Sequence, residues 1–257
     1  MTAERVRLVV PLLLLVLACE GGFLPLRGKI EIGRDPMVVF VGGPATSSDL
    51  YALPASGGRP LAITFSPVAE RRPALAPDGG AVAFLRAGAI GDSTAASVWV
   101  LNLLNGAERR IDLPEHASPE QVAWWGDGRS VVVRAGGRLY RAPAPPDDAP
   151  VGPIGERERA PAESTLSVFV GKPAFARVLP CNDPMNLCVT DAGGAPSLLA
   201  AGAREPFRWG DDSVAYLKGD RLVVRPVGPG RSRTIEWNGA PERPRQFTMF
   251  EGASEPR

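Results

Sequence analysis

The sequence predicts an all-β fold, specifically a β-propeller of about five or six four-stranded blades. A unit of turns and short apolar strands recurs with a period of about 40–50 residues, which is typical of propeller blades. Glycine and proline account for 29 and 27 of the 257 residues, while apolar residues make up 44%. This apolar fraction is high enough to build a core. Short strands joined by many turns therefore reconcile the two compositions.

Three stretches of the chain share an Asp-centred turn followed by an apolar strand whose residues alternate or are β-branched. The aspartates are Asp78, Asp127 and Asp211, and the predicted strands after them are 82–85, 131–134 and 214–217. A unit without this turn fits 166–200, and an earlier unit spans 37–64. The C-terminal stretch 244–250 is predicted to complete a blade by pairing with the N-terminal strand. We interpret the aspartates as turn residues that bind nearby backbone amides and not as a calcium or acid–base set.

Three segments resemble the WD-like repeat of the TolB-type propellers. They are LAPDGGAVAF (75–84), WWGDG (124–128) and LYALPASGGRPL (50–61), the last resembling the second half of the repeat. The resemblance covers most of residues 37–237 and implies a periplasmic scaffold that binds other proteins. A β-sandwich remains the alternative fold, because short strands and turns alone do not exclude it.

The N-terminus has the features of an export signal. Two arginines precede the apolar run 8–18, which is shorter than the roughly 20 residues needed to span a membrane and fits a signal-peptide core. The sequence VLAC (16–19) resembles the lipobox of bacterial lipoproteins, and this implies cleavage before Cys19 and a lipid on that cysteine. Glu20 is not the aspartate associated with inner-membrane retention, so an outer-membrane location is favoured. An ordinary signal peptide with an incidental cysteine is the alternative.

The chain therefore divides into four segments. They are a lipoprotein signal peptide (1–18), a lipid-anchored linker (19–36), the propeller domain (37–250) and a C-terminal tail (251–257). The chain has 29 basic and 28 acidic residues, and this balance argues against a nucleic-acid binder, which would carry a basic patch. The expected partners are other cell-envelope proteins and, through Cys19, a membrane. We expect a monomer, with the domain in the periplasm or at the cell surface, and no metal or cofactor.

The other two cysteines are predicted to form a disulfide. If Cys19 is acylated, Cys181 and Cys188 remain as a pair in an oxidising compartment, flanking a turn-rich sequence that can close a hairpin. A metal or redox pair is a weaker interpretation. The spacing is not that of a Cys-x-x-Cys motif, and the single histidine, His116, is distant in sequence.

The sequence contains no convincing catalytic motif. Any Ser-His-Asp arrangement must use His116, which lies in a polar loop, and no nucleophile elbow or phosphate-binding loop occurs. Trp125 and Trp209 are candidate contacts for a ligand or partner. Packing between blades is the simpler role for at least one of Trp124, Trp125 and Trp209. We expect a non-enzymatic interaction scaffold. A carbohydrate- or peptide-binding module using the central funnel is the alternative, and a hydrolase or lyase is less favoured.

Overall fold

The computed structural model describes most of the chain after residue 24. The described residues are 25–88, 96–114, 117–144, 150–153, 177–181, 186–190, 197–210 and 212–253. They form nineteen strands in five antiparallel sheets. No helix long and apolar enough to cross a membrane occurs in these ranges. Cys19, His116 and Asp211 lie outside them.

Each sheet is a short meander of strands that are consecutive in the chain, except that sheet 1 also takes the last strand. Sheet 1 contains β1 (Met37–Gly42), β2 (Asp49–Pro54), β3 (Leu61–Ala62) and the C-terminal β19 (Arg245–Phe250). Sheet 2 contains β4 (Glu70–Leu75), β5 (Ala81–Arg86), β6 (Ser97–Asn102) and β7 (Glu108–Ile111). Sheet 3 contains β8 (Pro119–Trp124), β9 (Ser130–Ala135), β10 (Arg138–Pro143) and β11 (Gly152–Pro153). Sheet 4 contains β12 (Arg177–Pro180), β13 (Asn186–Thr190) and β14 (Ser197–Ala201), and sheet 5 contains β15 (Ala203–Trp209), β16 (Ser213–Lys218), β17 (Arg221–Pro226) and β18 (Arg233–Ile235).

The sheets are arranged as the blades of a β-propeller. The first strands of the sheets neighbour one another across blades, with β15 beside β19, β19 beside β4, and β4 beside β8. These strands are therefore innermost. The C-terminal β19 takes the innermost place in sheet 1, where Met37 pairs with Phe250 and Val39 with Thr248. The predicted propeller and the predicted closure by the C-terminal strand are both confirmed.

The hydrophobic core lies between adjacent sheets, and sheets 1, 2 and 5 each bury apolar residues on both faces. In β5, Val82 and Phe84 pack in the cluster shared with sheet 1, whereas Ala83 and Leu85 pack in the cluster shared with sheet 3. This is the two-residue period of a strand with two covered faces. Burying each large apolar side chain contributes about 1.5–3 kcal/mol, so stacking of neighbouring blades supplies most of the stabilisation.

The segment that precedes β1 differs from the expected linker over its described part. Leu26 and Ile30 are 1% and 5% exposed and belong to the core cluster between sheets 1 and 2. The amides of Lys29 and Ile30 both donate to the carbonyl of Leu26, at 3.0 and 3.1 Å. This turn brings the two apolar residues, four positions apart, onto one side of the segment. Residues 25–36 are thus packed against the propeller and do not form a free linker.

Candidate functional site

The innermost strands share a β-bulge near their first residues. The pairing shifts between Arg71 and Ala74 in β4, between Pro119 and Gln121 in β8, between Arg204 and Phe207 in β15, and opposite Val39–Val41 in β19. A bulge places one extra residue in a strand and re-aims the side chains there. Four described strands around the axis therefore present non-standard backbone at the same level.

Four polar residues stand at equivalent positions at or directly beside these bulges, and we call them the entry ring. They are Arg72, Gln121, Glu205 and Gln246. Arg72, Glu205 and Gln246 have positive φ angles of 56°, 53° and 54°. Such a conformation costs roughly 1–2 kcal/mol for a residue other than glycine, so the surrounding structure must enforce it.

Hydrogen bonds between blades hold the backbone of two of these three residues, Arg72 and Gln246. The amide of Arg72 donates to Oε1 of Gln246 at 2.7 Å, and the amide of Gln246 donates to Oε2 of Glu205 at 2.9 Å. Each bond joins the backbone of one ring residue to the side chain of the ring residue in the preceding blade. Sheets 5, 1 and 2 are thereby linked in sequence at the start of their innermost strands.

The entry ring lies at one end of a central cavity of about 410 Å³. The lining comes from all four innermost strands named above and comprises 72–74, 121–123, 205–208, 246–249 and Glu251. Within it, the rings of Phe207 and Phe247 stack with centroids 5.0 Å apart, and Phe247 also stacks on Phe40 at 5.1 Å. The entry ring is polar, and the lining behind it includes aromatic side chains. This combination is suited to peptides and other amphipathic ligands.

A second polar cluster, which we call the buried ion pair, joins sheets 1 and 2. The side chain of Glu70 is 0% exposed, and its Oε1 accepts hydrogen bonds from Nε and Nη2 of Arg86 at 2.9 and 2.6 Å. Its Oε2 accepts a hydrogen bond from the hydroxyl of Thr64. The third nitrogen of Arg86 binds Glu108 at 2.8 Å, and the guanidinium lies 4.4 Å from the ring of Trp99.

The buried ion pair also fixes backbone on both sides of the blade interface. The amide of Leu50 in β2 donates to the Thr64 hydroxyl at 2.8 Å, and the Ser48 hydroxyl donates to the carbonyl of Glu70 at 2.8 Å. Burial raises the pKa of the Glu70 carboxyl, and the hydrogen bonds from Thr64 and Arg86 oppose this rise. The cluster therefore links the two blades by hydrogen bonds at the first residue of β4, two positions before Arg72.

The predicted contact residues Trp125 and Trp209 lie outside the described lining of the central cavity. Trp209 is 6% exposed within the core between sheets 5 and 1, with the guanidinium of Arg233 5.3 Å from its ring. Trp125 is partly exposed, and Arg141 lies 4.7 Å from its ring. Trp124 is 2% exposed and donates from Nε1 to the carbonyl of Ala74 at 2.9 Å, a bond between blades. Binding of a ligand or partner by Trp125 or Trp209 stays a prediction.

The turn role predicted for the aspartates is confirmed for the two that are described. Oδ1 of Asp78 accepts a hydrogen bond from the amide of Gly80 at 2.8 Å, and Oδ1 of Asp127 accepts one from the amide of Arg129 at 2.9 Å. The glycine that follows each aspartate, at positions 79 and 128, has φ of +70°. Both carboxylates are therefore used in local turn geometry.

Cys181 and Cys188 form the expected disulfide, with their Cα atoms 5.2 Å apart. The amide of Cys181 donates to the carbonyl of Asn186 at 2.8 Å, and Cys188 pairs with Leu179 in the ladder between β12 and β13. The disulfide therefore crosslinks the β12–β13 hairpin close to the connection between its two strands. Among the described residues, no group of three or more His, Cys, Asp or Glu side chains is placed to hold a metal ion.

Neither the entry ring nor the buried ion pair was predicted from the sequence. A usable signal existed for the ring, since Arg72, Gln121 and Glu205 each lie six residues before the Asp of the repeated turn. The recurrence of a polar residue at this fixed position is the signal. The buried ion pair has no repeat signal, because the residues of the other blades differ at the positions of Glu70 and Arg86.

Comparisons with known proteins found likenesses only among solved structures. No family model matches the chain, and no curated protein sequence matches it. A protein assigned as TolB from Agrobacterium tumefaciens aligns with a TM-score of 0.39 and 14% identity, covering 78% of this chain and 64% of that one. TolB from Acinetobacter baumannii aligns with a TM-score of 0.35 and 15% identity, covering 83% and 66%. The β-propeller domain of the Trilobed protease from Pyrococcus furiosus aligns with a TM-score of 0.35 and 10% identity, covering 76% and 67%. This chain thus spans less than two thirds of the length of either TolB chain.

Proposed function

We propose that this chain is a lipid-anchored cell-envelope protein whose propeller binds other envelope proteins at the entry ring and catalyses no reaction. The observation that carries the proposal is the ring itself, in which backbone amides and side chains of three blades are bonded to one another around an open cavity. A site held in this way loses little conformational entropy on binding, so its contacts contribute more fully to affinity.

The chemistry of the mouth suits a segment of another protein. Arg72 and Glu205 offer one positive and one negative group, Gln121 and Gln246 offer amides, and Phe207 and Phe247 contribute apolar surface to the cavity lining. A peptide backbone needs both donors and acceptors, and the apolar side chains of a peptide need an apolar surface such as the cavity lining. The mixed polarity of the ring therefore favours a polypeptide over a purely anionic ligand.

Site-specific photo-crosslinking in intact cells tests the binding surface. A photoreactive residue at Gln121, where φ is not positive, leaves the bonds between Arg72, Gln246 and Glu205 in place. A matched probe at Arg110, an exposed residue of the rim strand β7, serves as the control. We expect discrete covalent adducts with envelope proteins at 121 that are absent at 110. The same adduct pattern at both positions, or none at 121, would contradict the proposal.

The anchor is tested separately at Cys19. Radiolabelled or alkyne-tagged fatty acid should be incorporated into the wild-type chain and not into Cys19→Ser, and that variant should leave the membrane fraction. Acyl labelling that survives the substitution would exclude the lipid on this cysteine.

A carbohydrate or peptide ligand held within the cavity is the alternative function. The observation that favours it is the stacked pair Phe207 and Phe247 in a cavity of about 410 Å³, which is within the usual range of ligand sites. This function predicts a rise in the thermal unfolding midpoint with an oligosaccharide or peptide. The rise should be lost in Phe247→Ala and kept in Trp125→Ala, since Trp125 lies outside the described cavity lining.

A further inference from the structure

The segment before β1 is docked at a defined end of the propeller. The innermost strands run from the entry ring towards the turns of Asp78 and Asp127, and we call that second end the Asp-turn end. Residues 25–36 lie there. The carbonyl of Arg34 accepts a hydrogen bond from the amide of Ala253 at 3.2 Å, just after β19. A Cβ on Gly33 would lie 3.3 Å from the carbonyl oxygen of Asp78.

Apolar contacts hold the same segment in place. Leu26 and Ile30 are buried in the cluster that contains Leu103, and the amide of Leu103 donates to the carbonyl of Gly80 in the Asp78 turn. The position of the chain at residue 25 is therefore fixed beside the Asp-turn end, and the entry ring lies at the other end of the strands.

The distance available to a lipid tether follows from covalent geometry. Position 25 is six residues after Cys19 in the chain, so the two are at most about 22 Å apart even in a fully extended chain. An innermost strand such as β4 has six residues and a length of about 20 Å. The maximum length of the tether is therefore about equal to the depth of the propeller. It is too short to pass around the outer strands and reach the other end.

We infer that the Asp-turn end faces the bilayer that carries the acyl chain, so the entry ring opens away from the membrane. The inference rests on the lipid at Cys19 proposed above. Two cations and one apolar side chain at that end are placed to contact a lipid headgroup layer. Arg27 and Lys29 are exposed on either side of Gly28 in the docked segment, and Leu104 is 61% exposed in the turn that follows Leu103. Cations near anionic headgroups and an apolar side chain at the interface both favour this contact.

Depth-sensitive labelling of the lipidated full chain tests the orientation. The described cysteines are paired and Cys19 carries lipid, so Leu104→Cys and the matched variant Lys218→Cys each provide one thiol for a fluorophore. Lys218 is exposed at the end of β16 remote from the Asp-turn end. In vesicles of phosphatidylethanolamine and phosphatidylglycerol with a headgroup quencher, we expect quenching at 104. At 218 we expect only the level found with the unlipidated Cys19→Ser protein.

The outcomes separate the orientation from the anchor. Equal quenching at both positions, or stronger quenching at 218, in a sample whose Cys19 is acylated would overturn the orientation and leave the anchor standing. A sample without acyl label would overturn both. Inserting about 20 Gly and Ser residues between Gly22 and Phe23, with a mean span of about 25 Å, should reduce the difference between 104 and 218. A difference that persists unchanged would show that the tether does not set the orientation.

Discussion

Replacing Arg86 with methionine is expected to lower the free energy of unfolding by about 3–5 kcal/mol near neutral pH, the cost of breaking a buried ion pair. The substitution removes two hydrogen bonds, of 2.6 and 2.9 Å, from a Glu70 side chain that is 0% exposed. Because water does not reach this carboxylate, solvent screening does not reduce the penalty. The loss is a large share of the 5–15 kcal/mol that stabilises a typical protein.

The penalty should depend on pH in a definite direction. Burial already raises the pKa of Glu70 above the ordinary value of 4.5, and Arg86 opposes that rise. Without the arginine the folded-state pKa is higher still, so the native state binds more protons than the unfolded state over a wider range. The contribution of the Glu70 carboxyl to the free energy of unfolding then falls as the pH rises from about 4.5 through its folded-state pKa. The cost of Arg86→Met should therefore be smallest below that range and grow towards neutrality.

Urea unfolding monitored by tryptophan fluorescence at about pH 4 and about pH 7.5, on either side of this range, measures the effect. The matched control is Glu108→Gln, which removes a partly exposed partner of Arg86 and keeps the contact with Glu70. It should cost less than about 1 kcal/mol. The double variant Glu70→Gln with Arg86→Met should recover part of the loss, because no buried charge remains. A penalty that is equal at both pH values would refute the assignment of the cost to the Glu70 charge.

Two further predictions concern the hairpin and the turns. Replacing Cys181 and Cys188 together by serine should lower the free energy of unfolding by about 2–3 kcal/mol on the chain-entropy model, and a reductant should then no longer shift the thermal midpoint as it does in the wild type. Gly79→Ala and Gly128→Ala both place alanine at φ of +70° and should share a strain of roughly 1–2 kcal/mol. Gly79→Ala should cost more in thermal denaturation, because its Cβ would lie 2.6 Å from the ring of Phe250, whereas the nearest atom to that of Gly128→Ala is 3.8 Å away; equal midpoints would contradict this.

The strands could be predicted because most of their information is local. The predicted strands 82–85, 131–134 and 214–217 lie within β5, β9 and β16. Each is a run of apolar or β-branched residues bounded by a turn whose Asp and Gly have a specific geometric role. The closure of the propeller by 244–250 was also predicted, and β19 (Arg245–Phe250) provides it by pairing with the N-terminal strand β1.

The polar features could not be predicted in the same way, because contacts between distant strands create them. Nothing in the residue types of Arg72 or Glu205 signals a positive φ, which arises from a bulge in the ladder with the next strand. Glu70 and Arg86 stand at strand ends, where charged residues are usually exposed. The burial of Glu70 depends on the segment that follows β3, from which Thr64 supplies a third hydrogen bond to the carboxylate. The docking of Leu26 was missed because it arises from contacts with residues of sheets 1 and 2 that are distant in sequence.

The entry ring and the buried ion pair lie at the same end of the propeller, so the ion pair helps to fix the geometry of the entry ring. Glu70 is the first residue of β4, and Arg72, two positions later, already belongs to the entry ring. A fully paired buried carboxylate resists displacement, because any movement away from Arg86 leaves a charge without solvent or a partner. Apolar contacts between blades have no such directionality. The hydrogen-bonded entry end therefore has a tightly specified geometry, which suits the proposed binding of another protein without rearrangement.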